Sequence, residues 1–197
     1  MTPSPLDADR IRRALENSRF ARCIYIVETT GSTNDAVLEL CKDKWVAAVL
    51  FAEQQTAARG QRGNSWESAP RKGLWFSMLL QPQIPLIESA NLTNWAAQAI
   101  RETIGNRFAL VPHIKPPNDV VISDRKVAGV LVEMRARGKA PYVAVVGIGL
   151  NVNQGRADFP SAIRERATSL ALELGNPIDR TDLAIALLRV LDGTYNW

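Results

Sequence analysis

Histidine and cysteine are scarce in this chain of 197 residues, with one of the first and two of the second. A lone histidine and no Cys cluster leave nothing from which to build a structural zinc site. Cys23 and Cys41 match no metal spacing and read as buried thiols in a reducing compartment, which implies the cytoplasm. Long apolar runs are missing as well. No stretch approaches the roughly 20 residues that span a bilayer, so no membrane partner is expected. The N-terminus has acids, Asp7 and Asp9, where a secretory signal needs basic residues and then an apolar core. Repeats, low-complexity tracts and linkers are absent. So are the phosphate loop G-x-x-x-x-G-K-[ST] and the pattern G-x-G-x-x-G opening a helix, so nucleotide binding is not legible from either.

What is present fits a globular enzyme. Hydrophobic residues make up 46% and charged residues 22%, ordinary values, and the length suits one domain, 1–197, with a substantial core. The net charge is +4 and the pI near 9.3. The basic residues are scattered, with modest clusters at 10–22 and 59–72 and no nucleic-acid recognition motif, so no nucleic-acid partner is expected. A helix is predicted over 6–18, capped by Asp7 or Asp9, and a strand over 23–28. A second helix follows a cap at Ser32 or Thr33, with Ala36, Val37, Leu40 and Cys41 as its buried stripe. Strands are predicted at 46–52 and 73–80, the latter too apolar for an edge. A long helix covers 88–104 with Leu92, Ala96, Ala99 and Ile100 inward; strands fill the region to Val152, and a last helix covers 181–191. Strands in succession with few helices between them predict an α+β fold with a mixed, largely antiparallel sheet.

The densest chemistry lies in E-Q-Q-T-A-A-R-G-Q-R-G-N-S-W, residues 53–66. Gly60 and Gly63 let the backbone turn sharply and approach a ligand. Arg59 and Arg62 supply planar charged forks that match carboxylates and phosphates. Taken alone this is a solvated basic loop or the wrapping of a small anion. Four other segments accompany it: G-S-T-N at 31–34, K-P-P-N-D at 115–119, R-K-V-A-G-V-L-V-E at 125–133 and G-I-G-L-N-V-N at 147–153. In their order along the chain, G-S-T-N first and the basic loop second, across residues 25–168, the five resemble the catalytic domain of biotin protein ligases.

The resemblance implies an ATP-dependent ligase that activates biotin as biotinyl-5'-AMP and transfers it to a lysine of a biotin carboxyl carrier domain of acetyl-CoA carboxylase or a related carboxylase. ATP and biotin are then substrates and Mg²⁺ accompanies ATP, its ligands unassigned. It implies a mixed sheet flanked by helices, and a homodimer is allowed. Carried over residue by residue, Ser32, Thr33 and Asn34 stand near the biotin head and Gln55 bonds the ureido ring. Arg59, Gly60, Gln61 and Arg62 enclose the carboxylate and phosphate, Lys115 serves the reacting centre, and Asn118 and Lys126 serve the phosphates. Lys115 and Arg59 are the catalytic pair. The chemistry needs cations where the α-phosphate gains charge, and two prolines after Lys115 make its setting firm. Trp75 or Gly147 and Gly149 are candidates for the apolar walls. Ser32 also reads as a helix cap, and Lys126 equally as a surface residue. The alternatives are a lipoate or octanoate ligase or transferase of the same superfamily, and a non-catalytic protein binding biotin or its adenylate.

The chain departs from the family loop G-R-G-R-x-G-R at Ala58, Gln61 and Asn64, and from K-W-P-N-D at Pro116. Ala58 is costly if a positive φ is needed there. Gln61 and Asn64 each remove a cation, which implies weaker retention of the adenylate. The N-terminal DNA-binding module of some members and the small C-terminal β-domain of many are expected to be absent.

Overall fold

The computed structural model describes residues 4–20, 23–43, 46–137 and 140–197. Residues 1–3 and Arg22, on which parts of the N-terminal and basic-cluster readings fall, lie outside them. A short helix α1 (Ala8–Ala14) precedes β1 (Ile24–Thr30), α2 (Thr33–Cys41), β2 (Ala48–Gln55) and β3 (Gly73–Leu80). The long α3 (Ser89–Arg107) leads into β4 (His113–Lys115), β5 (Asp119–Ile122), β6 (Arg125–Arg137) and β7 (Ala140–Asn151). The short α4 (Leu170–Leu174) and α5 (Arg180–Thr194) complete the described helices. The strands form one seven-stranded sheet in the order β1-β2-β3-β7-β6-β5-β4. Only β1 and β2 run parallel; the other neighbours are antiparallel. The mixed, largely antiparallel sheet is as expected.

Strand alternation divides the sheet's two faces. The cross-strand row Phe51, Phe76, Ile148, Val130 points into the larger core, shared with Ile11, Leu92, Ile100 and Leu187 of the helices. Phe51 and Phe76 stack there with centroids 4.7 Å apart. The adjacent row, Leu50, Ser77, Gly147, Leu131, lies on the other face. There α2 covers a smaller core of Val37, Cys41, Leu50, Leu79 and Val145. β3 is buried at every position, in keeping with its place between β2 and β7.

Some boundaries differ from the sequence reading. The first helix stops at Ala14, because Leu15 leaves the helical region and the Ser18 hydroxyl accepts the Phe20 N–H to form a turn. Asp7 does cap it, accepting the Arg10 N–H. β2 starts after Val46 and runs on to Gln55, because Gln54 and Gln55 pair with Thr29 and Thr30. Glu53 is buried within it and tolerated because it is paired: Oε2 lies 2.7 Å from Arg180 Nη1 and Oε1 accepts the Leu6 N–H. Leu40 is not in the buried stripe of α2 but 46% exposed. The inward face is Thr33, Asn34, Val37 and Cys41, because the polar first turn is tied to the sheet. Cys41 is buried, Cys23 only half-buried.

Candidate active site

Ser32 precedes α2, and its carbonyl accepts the Ala36 N–H. Its hydroxyl makes no cap hydrogen bond, so the side chain, 6% exposed, is left to the groove that it lines. The next residues are fixed by an alternation of donors and acceptors. The Thr33 N–H and hydroxyl both donate to Gln55 Oε1, at 2.8 and 3.0 Å, and Gln55 Nε2 donates to Ser68 Oγ at 3.2 Å. Ser77 Oγ lies 2.7 Å from Thr33 Oγ1 and 2.5 Å from Asn34 Oδ1, and its single proton serves one of them. Asn34 Nδ2 donates to Glu133 Oε2 at 2.6 Å. Five segments thus meet at one polar pocket end, with donors and acceptors alternating.

The floor beyond it is made by glycines. Gly147 and Gly149 are two apart on β7 and face the same side, and Gly129 on β6 is the cross-strand partner of Gly149. A Cβ on Gly147 would lie 2.3 Å from Asn34 Oδ1, and one on Gly149 would lie 2.4 Å from the Trp66 indole. These glycines are required by close approach, not by backbone conformation. Trp75, expected as a wall, does not line the groove. It is fully buried in the row of Gly149 and Gly129 and packs against Trp66 edge-on, with centroids 6.0 Å apart. The missing side chains in that row leave room for Trp66, which is the aromatic wall. The groove holds about 40 Å³ in this state.

The basic loop closes on itself. Arg59 and Ser65 form a β-bridge, the Trp66 N–H donates to Ala58 O at 3.0 Å, and the Gly60 N–H to Asn64 O at 2.7 Å. The left-handed positions are Arg62 (φ 58°) and Gly63 (φ 78°), so Ala58 bears no positive φ and that expected cost does not arise. Asn64 Nδ2 donates to Gln61 O at 2.9 Å and so closes the turn. Arg59 and Gly60 line the groove, whereas Gln61 and Arg62 line neither cavity. The Arg59 guanidinium is bound to Asp35 at 2.6 and 2.7 Å and reaches Glu133 Oε2 at 3.4 Å. The hydrogen bond from Arg59 holds the Asp35 carboxyl below the ordinary carboxylate range, against an opposing effect of burial. The same bond raises Arg59, again against burial, so both stay charged at neutral pH.

A larger cavity of about 450 Å³ adjoins the groove and shares Trp66 and Lys126 with it. Lys115, placed at the end of β4 and exposed, stands on its wall rather than in the groove. Lys126 Nζ lies 2.7 Å from Asp119 Oδ1 and 5.2 Å from the Trp66 ring centroid. Asn118, in the groove wall, spends its Nδ2 on Val130 O at 3.0 Å and so anchors the turn after β4 to β6. Asn151 lines the larger cavity and is oriented by Gln154 Nε2 at 2.9 Å and Thr168 O at 2.9 Å. Sequence reasoning assigned no role to Ser77, Trp66, Glu133 or Asp35. Ser77 carried a signal, as the one hydroxyl in the otherwise apolar Gly73–Leu80. Among the described residues no group of three His, Cys, Asp or Glu side chains is placed to hold a metal, and no helix is long and apolar enough to cross a membrane.

Residues 26–151 match the Biotin/lipoate A/B protein ligase family. The bifunctional ligase/repressor BirA of Bacillus subtilis is 33% identical over 194 residues, which cover 98% of this chain and 60% of that protein. The biotin--[acetyl-CoA-carboxylase] ligase of Mycobacterium tuberculosis is 34% identical over 196 residues, covering 95% of this chain and 70% of that protein. The solved biotin protein ligase from Aquifex aeolicus in complex with biotin and ATP superposes with a TM-score of 0.72 at 30% identity, over 87% of this chain and 69% of that one. The chain thus spans about 60% of the length of the ligase/repressor that it matches.

Proposed function

Because the chain belongs to the biotin/lipoate A/B protein ligase family, we propose that it is an ATP-dependent biotin protein ligase that forms biotinyl-5'-AMP and passes the biotinyl group to a lysine. The acceptor is a biotin carboxyl carrier domain of acetyl-CoA carboxylase or a related carboxylase, met in the cytoplasm. One observation carries this reading: a narrow groove with a polar end and a glycine floor opens, at Lys126 and Trp66, into a larger cavity whose walls carry Lys115, Lys126 and Arg166 beside the carboxylates of Glu67, Asp119 and Asp124. The polar end, Ser32, Thr33, Asn34 and Gln55, offers the donors and acceptors that a ureido ring needs. The glycine floor and Trp66 suit the bicyclic body and alkyl tail. The larger cavity takes ATP with its Mg²⁺, which arrives as part of that substrate.

In this reading Arg59 meets the carboxylate at the groove's wall and Lys115 and Lys126 face the α-phosphate from the larger cavity. Attack of the carboxylate on phosphorus expels pyrophosphate, and the developing negative charge falls among preorganised cations. The loop then shields the mixed anhydride from water until the amine arrives. A fatty or lipoyl chain would bring no donors or acceptors to the polar end and would displace water from it without replacing those hydrogen bonds, which disfavours a lipoate or octanoate substrate. The expected result is biotin-dependent exchange of pyrophosphate into ATP in the presence of Mg²⁺. Exchange supported by lipoate or octanoate but not by biotin would move the protein to the other branch of its family.

The loop substitutions carry a further expectation. Gln61 and Asn64 stand where the resembled family has arginines; Gln61 lines neither cavity here, so the expectation requires the loop to close over the adenylate, and each charge-assisted hydrogen bond then lost is worth about 1.5–3 kcal/mol. The natural chain should therefore release biotinyl-adenylate roughly ten-fold or more faster than a Gln61→Arg variant. Dissociation rates for the two proteins test this; equal rates, or faster release from the variant, would count against it.

A further inference from the structure

Arg59 joins two elements as well as lining the groove. Its guanidinium holds the Asp35 carboxylate of α2 with both terminal nitrogens, at 2.6 and 2.7 Å, and touches Glu133 Oε2 of β6 at 3.4 Å. The same Glu133 oxygen accepts from Asn34 Nδ2 at 2.6 Å, 99 residues away in sequence. Asn34 in turn meets the buried Ser77 hydroxyl at 2.5 Å. The ion pair at the groove wall is thereby linked to the polar end.

The pair is built to be exchanged. The Asp35 side chain is 58% exposed and Arg59 41%, whereas Glu133 is 18% exposed. An ion pair that open to solvent shifts an equilibrium by at most about five-fold. The loop does not depend on it, since residues 58–66 are closed by their own backbone bonds through Arg59↔Ser65 and Trp66 to Ala58. Arg59 can therefore leave Asp35 while its backbone stays where it is. Glu133, with Asn34 and with Arg135 at 2.9 Å, keeps its place when Arg59 turns away.

We propose that Asp35 and Glu133 form an anion-responsive latch, in which they hold Arg59 at the groove until the carboxylate of the ligand displaces Asp35 from the guanidinium. The inference rests on the reading of the groove as a biotin site, and it makes Asp35 a specificity-determining residue that no motif assigned. An anionic ligand competes with Asp35 for two parallel N–H donors, a geometry that a carboxylate reproduces and a hydroxyl does not. An uncharged ligand of the same shape gains nothing from Arg59 and leaves it on Asp35.

Calorimetric titration of the natural protein and an Asp35→Asn variant with biotin, and with its uncharged alcohol biotinol, separates the possibilities. The variant is expected to bind biotin up to about five-fold more tightly, with its affinity for biotinol unchanged. A second substitution, Arg59→Ala, should remove that gain. Weaker biotin binding by Asp35→Asn, or equal gains for both ligands, would overturn the latch and make Asp35 a fixed support for Arg59. Failure of the natural protein to bind either ligand is a different result: it removes the biotin reading and the latch with it.

Discussion

Replacing Lys115 with alanine is expected to leave the fold intact and to slow adenylate formation by a factor on the order of 10²–10³, the scale for loss of one preorganised electrostatic stabiliser. Lys115 is exposed at the end of β4, with no ion pair among the described residues, so its removal costs no packing. Its charge stands on the wall of the larger cavity with Lys126 and Asp119. The prolines at 116 and 117 restrict the backbone just beyond it, and the Asn118 bond to Val130 O ties that turn to β6. A side chain on so firm a base loses little freedom when it meets a phosphate. Pyrophosphate exchange, with circular dichroism to monitor folding, is the measurement. Near-normal exchange would make Lys115 a surface lysine and leave the work to Lys126, whose charge is partly answered by Asp119 at 2.7 Å.

The second large effect is expected at the glycine floor. In a Gly147→Ala variant the new methyl would stand 2.3 Å from Asn34 Oδ1. Asn34 has no easy retreat, because Glu133 holds its Nδ2 and Ser77 meets its Oδ1. Either α2 shifts or the Asn34 amide leaves the polar end. Overpacking of this kind costs about 1–3 kcal/mol of stability. Loss of one or two hydrogen bonds to the ligand should raise the KM for biotin by about 10- to 100-fold, with a smaller change in kcat. Thermal unfolding and exchange kinetics at varied biotin measure both. An unchanged KM would show that the ligand's head does not lie against Asn34.

Much of the fold was legible because it depends on local periodicity. The apolar run Gly73–Leu80 could only be an interior strand, and the 3-to-4 spacing of Leu92, Ala96, Ala99 and Ile100 required a helix with one buried face. Errors arose where a polar contact overrode that periodicity. Leu40 has the spacing of a core residue, yet Thr33 and Asn34 bind Gln55 and Ser77 and so set the rotation of α2. The Ser18 turn shortened α1 in the same way.

Of the candidate site, the sequence by itself determined which segments take part: G-S-T-N, the basic loop, Lys115 with its prolines, and G-I-G-L-N. Taken singly each reads as an ordinary loop or turn; their order along the chain, and the family resemblance that it carries, picked them out. Tertiary structure alone decided how those segments meet. It chose Trp66 over Trp75 as the aromatic wall, placed Lys115 and Lys126 on the larger cavity, kept Gln61 and Arg62 out of both, and set Asp35 and Glu133 on Arg59. The reason is register. Trp75, Gly149 and Gly129 share a row only because β3, β7 and β6 pair as they do, and a shift of one residue would turn each to the other face of the sheet. That pairing joins positions far apart in the chain, and no local pattern records it.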